Sequence, residues 1–257
     1  MPSCLIHFCG VAGKHPAALK LNFQVMQNNA MKHSSRRGFL GSLATGAAAF
    51  GAATLAVPLQ LAAHTGIDTT MVSDAEEWLK KINGKRRMVF DATRPHEIYP
   101  FAWPKVFLLT NAATGTPEKE STAVVVLRHD AIAYAMQSSL WEKYHFGEVF
   151  KADDPLTKKP ATRNPFWQPK PGDFSVPGIG NVAIGINELQ ESGVLFCVCD
   201  MALTVFSAAL AGAMKQDAAA VKKEWVAGLL PNIQVVPSGV WAVGRAQEHG
   251  CSYCFAG

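Results

Sequence analysis

The sequence predicts an α/β fold on a mainly parallel sheet, and three observations carry that expectation. Short apolar or β-branched runs alternate with segments of helical periodicity. The run 123–127 (AVVVL) is unbroken, as a strand covered on both faces would be. The stretch 193–214 (GVLFCVCDMALTVFSAALAGAM) passes from an apolar run through Cys199 and Asp200 into a helical face marked by Leu203, Phe206 and Leu210. That reads as strand, sharp turn, helix. Right-handed crossovers between parallel strands need helices at this spacing.

Charge is unevenly spread over the 257 residues. Residues 1–63 contain five basic residues (Lys14, Lys20, Lys32, Arg36, Arg37) and no Asp or Glu, which leaves 19 basic and 20 acidic residues, a net of −1, in the other 194. The net +4 therefore belongs to the N-terminal part and argues nothing for a nucleic-acid partner. The body of about 190 residues suffices for one well-cored domain.

Ser35-Arg36-Arg37-Gly38-Phe39-Leu40, followed by an uncharged Ala/Gly-rich stretch to Ala63, resembles a twin-arginine signal over residues 31–63. Such a signal sends folded proteins across the bacterial cytoplasmic membrane, so a periplasmic or exported location is expected, with transient membrane contact through the signal. A retained anchor is the alternative, since the stretch is long enough to span a bilayer. Met31 opens MKHSSRRGFLG as a start would, and residues 1–30, with Cys4 and Cys9, read as a doubtful N-terminal extension. Four of the six cysteines remain in the body: Cys197, Cys199, Cys251 and Cys254. That is too few for a disulfide scaffold.

Along the body, residues 74–82 (DAEEWLKKI) suit a short polar helix ended by Gly84. The runs 87–91 (RMVFD) and 106–110 (VFLLT) read as strands, with Pro95, Pro100 and Pro104 ruling out a long helix between them. Residues 111–122 form a polar loop. The strand 123–127 ends in Arg128-His129-Asp130, and Ala135, Leu140, Trp141 and Tyr144 then suit a helix over 131–144. Five prolines mark 151–176 as a long surface excursion, a lid or a docking surface carrying Phe166 and Trp167. Beyond the stretch around Cys199 follow a helix at 217–228 and a strand at 233–236 ending in Pro237-Ser238-Gly239. A helix at 240–249, stopped by Gly250, and the closing residues 251–255 complete the chain.

Ligands of open parallel sheets bind beyond the carboxyl ends of the strands. Cys199, at a strand end and just before a helix N-terminus, is the candidate nucleophile or sulfur carrier, because unpaired N–H groups and the helix dipole favour a thiolate there. Its bland alternative is a buried apolar cysteine. Cys197, two residues earlier, points to the same face in a strand and reads as structural. His129 is the candidate proton partner, Asp200 a helix cap, and Ser238 with Gly239 a small anion-receptive turn. Cys251 and Cys254 are candidate resolving or redox thiols. With Cys197, Cys199, His129 or His249 they would make the rival metal or redox protein. No cofactor and no metal are expected in the leading reading.

The order GVLFCVCDMAL, a helical pair, then LLPNIQVVPSGVWAVGRAQEHGCSY resembles the DsrE/DsrF-like family of small α/β sulfur-handling proteins. The similarity covers roughly residues 122–253 and is specific in the last 65 or so. It implies a three-layer flavodoxin-like fold with helices on both faces, frequent homo-oligomers, and transfer of sulfane sulfur as a cysteine persulfide on Cys199. The partner would be a sulfur donor or acceptor protein or a small sulfur compound. On this reading residues 64–121 extend a domain at 122–257 that carries a Pro-rich insertion at 151–176. A non-catalytic interaction subunit of an exported complex is the remaining alternative.

Overall fold

Strand β2 (Ser121–Leu127) is buried at every position, as its unbroken apolar run dictates, and lies in the middle of a five-stranded sheet. The computed structural model describes residues 68–257. The doubtful extension 1–30, with Cys4 and Cys9, and the signal 31–63 lie outside the described residues. The sheet order is β6 (Ile233–Val236), β5 (Leu195–Cys199), β2, β1 (Arg86–Ala92), β7 (Ser252–Phe255), and every pairing is parallel.

Helices cover both faces, which gives a three-layer α/β fold of flavodoxin-like architecture. Behind the sheet lie α1 (Thr69–Leu79) and α8 (Gly239–Glu248), whose Ala75, Trp78, Leu79, Ala242 and Ala246 pack on Val89, Val124, Val126 and Val236. In front lie α2 (Tyr99–Ala113), α3 (Ser138–Tyr144), α4 (Phe146–Val149), α5 (Ile186–Glu191), α6 (Asp200–Met214) and α7 (Ala218–Ala227). A two-stranded hairpin, β3 (Ser175–Val176) and β4 (Gly180–Asn181), decorates the loop before α5. The chain steps β1, β2, β5, β6 in one direction with its crossovers in front; α8 then returns behind to place β7 beside β1. The connections leaving β5 and β6 therefore go to opposite faces, which is where open sheets form their crevice.

Four expectations are corrected. Residues 106–110 are not a strand but part of α2: Pro100 stands in the first turn, where its missing N–H is no loss, and the helix carries Pro104 at the cost of one bond, to the Pro100 carbonyl. The helix expected over 131–144 is a 3₁₀ segment, His129–Ala135, followed by α3. Tertiary partners occupy the carbonyls an α-helical ladder needs. Asn164 Nδ2 donates to Tyr134 O and Met136 O, both at 2.9 Å, and Trp141 Nε1 and Leu230 N donate to Ala133 O and Ala135 O. The 151–176 excursion is anchored in the core rather than laid over the surface, with Asn164 and Phe166 fully buried and the Phe166 ring against Phe101, Tyr134 and Phe174. Lastly, the segment expected as an extension supplies β1 to the sheet, and Ile67–Gly257 is one compact unit.

Candidate functional site

Cys199 is both the last residue of β5 and the N-cap of α6, and its Sγ accepts the backbone N–H of Ala202 at 3.3 Å. It is 6 % exposed. The chain turns at this residue, so Cys199 joins the front core while Cys197 faces the back one. The expected shared face for the two thiols is thus lost. Cys197 is fully buried, and burial pushes its thiol far above the usual range.

Asp200 was expected to cap α6, but Cys199 holds that position. The Asp200 carboxylate instead takes Lys222 of α7, with Nζ at 2.8 and 2.9 Å from its two oxygens. That pairing offsets the negative charge on the residue next to Cys199 in the chain.

The tripeptide at the end of β2 divides its roles by direction. The register pairs Leu127 with Val198, so Arg128 is the next neighbour of Cys199 across strands about 4.8 Å apart. Its guanidinium grips Asp91 through Nε (2.6 Å) and Nη2 (2.9 Å), and Tyr253 donates to the same carboxylate at 2.9 Å. The Asp91 contact raises the Arg128 pKa, and the Cys199 sulfur lies within its electrostatic reach. His129 turns away with φ +49°, and its side chain, 63 % exposed, meets Asp130 at 3.2 Å and the Phe206 ring edge-on. Burial raises the Asp130 pKa, with His129 opposing. Reading the sequence for reactive residue types singled out His129 and passed over Arg128. Strand parity aligns Arg128 with Val124 and Val126 on the back face, the side of Asp91 and α8, whereas Cys199 joins the front core.

Ser238 caps α8, its Oγ accepting the Trp241 N–H at 3.2 Å. Gly239 is required beside it, since a Cβ there would stand 2.5 Å from Arg128 Cβ. The α8 N-terminus, Arg128 and Cys199 thus share one end of the sheet.

Cys251 and Cys254 do not join them. Three strand spacings, about 14 Å, separate β7 from β5. Cys254 is level with Phe90, Val125 and Phe196, about 10 Å short of Cys199 along the strands, and Cys251 lies roughly 10 Å further back. Cys251 belongs to the back core and Cys254 packs against the front one, so they straddle the sheet rather than face each other. Burial pushes the Cys251 thiol up to about 11, with Arg87 opposing, and also raises Cys254. His249 ends α8 at that same remote end of the fold. Among the described residues no three His, Cys, Asp or Glu side chains are grouped to hold a metal ion.

Fold and site together define a three-layer α/β protein whose candidate group is a helix-capping cysteine at the carboxyl edge of a parallel sheet. No family model and no curated protein matches the chain. One solved structure, a protein of unknown function from Methanobacterium thermoautotrophicum, MTH1491, is similar to 66 % of this chain and 99 % of its own at 18 % identity, with a TM-score of 0.35. That likeness is too low to bear on function.

Proposed function

We propose that this is an exported DsrE-like protein that carries sulfane sulfur on Cys199 as a persulfide. The observation that supports it most is the N-cap position of Cys199, with its Sγ on the Ala202 N–H where the connections of β5 and β6 diverge. The Cys199 thiolate attacks the outer sulfur of a donor persulfide. A new S–S bond forms on Cys199 while the donor's S–S bond breaks, and the donor leaves as a thiolate. An acceptor thiolate reverses the step. That acceptor is a second molecule in this reading, since Cys251 and Cys254 lie at the remote side of the sheet. Arg128 and the α8 N-terminus at Ser238 and Gly239 favour the anionic donor; His129, turned toward Asp130, takes no part in the step, which needs no proton transfer.

Export rests on Ser35–Leu40 and the uncharged stretch after it; among the described residues no helix is long and apolar enough to cross a membrane. Self-association is supported by Trp103, Val106 and Leu109, an exposed apolar stripe on α2. Treating the protein with polysulfide and weighing it tests the carrier: an adduct of about 32 Da that disappears in Cys199→Ala supports it, and the absence of any adduct overturns it.

The burial of Cys199 favours a second reading, an interaction subunit without chemistry. A Cys199 that resists alkylation in the folded protein decides for that one.

A further inference from the structure

Beyond the carboxyl ends of β1 and β2 lies a cleft of about 260 Å³, walled by the turn at 95–97 and the loop at 151–158. Its volume is below the roughly 300–1,000 Å³ of drug-sized sites, so an occupant is small. Tyr134 reaches the cleft from the core. The residue is 1 % exposed, and its ring is locked edge-on against Phe101 and Phe166 and tilted on Trp141. Buried phenols ordinarily find a partner. Tyr144 has Glu224 and Tyr253 has Asp91, whereas the Tyr134 hydroxyl has no hydrogen-bond partner among the described residues and opens into the cleft rather than being sealed in the core.

Charges of both signs line the cleft, and apart from Asp154 none of them is ion-paired among the described residues. Lys151 and Lys158 face the cleft, and so do Asp153 and Glu97, with His96 on the same rim. Asp154 differs, its carboxylate being taken by the Leu156 and Thr157 N–H groups and by Arg163. Glu97, Lys151 and Lys158 all hold left-handed backbone, at φ +48°, +53° and +56°, a conformation that clusters around binding sites. Like any phenol, Tyr134 is protonated and a hydrogen-bond donor at neutral pH, and burial with the Asp153 charge raises its pKa further.

The charge pattern narrows the ligand. A divalent cation would need grouped ligands, which are absent among the described residues, and would face two lysines. A simple anion meets Asp153 and Glu97; a simple cation meets Lys151 and Lys158. One small molecule carrying both an ammonium and a carboxylate satisfies each set. We propose that this cleft binds a small zwitterion of the α-amino acid class, with the Tyr134 hydroxyl donating to its carboxylate and Asp153 taking its ammonium. The site is separate from Cys199 and stands whether or not that thiol carries sulfur.

Titration calorimetry on the full chain tests it with L-serine and its two singly charged halves, ethanolamine and glycolate. Serine gives saturable single-site binding, at least tenfold tighter than either half. Tyr134→Phe keeps the ring contacts, melts no lower than the parent and weakens serine about tenfold; Asp153→Asn weakens it similarly. No saturable heat with serine, equal binding of either half, or unchanged affinity in both variants overturns the proposal.

Discussion

Asp91 is 3 % exposed, and three donors from two residues satisfy it: Arg128 Nε and Nη2, and the Tyr253 hydroxyl. Removing that charge leaves a half-buried guanidinium without its partner, so Asp91→Ala costs about 2–4 kcal/mol in urea unfolding. Lys222 is the ion-pair partner of Asp200, part-buried on both sides, and Lys222→Met removes that pair at a cost of about 0.5–1 kcal/mol in urea unfolding. Burial lifts the Cys251 thiol from its ordinary 9.0 to about 11 in the fold. Its folded pKa is raised, so the protonated, folded form is favoured below pH 9 and that advantage is lost as pH rises toward about 11. After discounting for solvent screening, the loss is about 1–2 kcal/mol, and the alkaline arm of a stability–pH profile is shallower in Cys251→Ala.

Whether a segment became helix or strand was legible where one period dominates. The strands at 87–91, 123–127 and 233–236 and the helices after Cys199, at 217–228 and at 240–249 all occur within a few residues of their expected ends. The run 106–110 misled because four apolar residues in a row fit either structure, and of its residues only Leu108 is buried. The segment 131–144 misled for another reason: its helix is interrupted by Asn164, a residue far along the chain. The same distant loop fixes Gly147. A Cβ there would stand 2.3 Å from the Ala161 carbonyl oxygen and 2.4 Å from its nitrogen, backbone that cannot swing aside. Gly147→Ala therefore destabilises by about 2–3 kcal/mol, read as a lowered urea midpoint. No comparable loss is expected at Gly244, where a Cβ meets open space.

At the scale of the whole molecule, strand order decides which thiols can meet. β5 and β7 are separated by β2 and β1, and Cys251 and Cys254 face opposite layers. Mild diamide oxidation of the folded chain accordingly yields no intrachain disulfide among Cys199, Cys251 and Cys254, as peptide mapping under non-reducing conditions shows. The α/β class and the position of Cys199 at a strand-to-helix junction were determined by the sequence alone, because hydrophobic period and capping act over a few residues. Pairing Arg128 with Asp91 and aiming the Tyr134 hydroxyl into a cleft were decided only by tertiary structure. Those contacts join residues brought together by strand order and crossover hand, which no local pattern encodes.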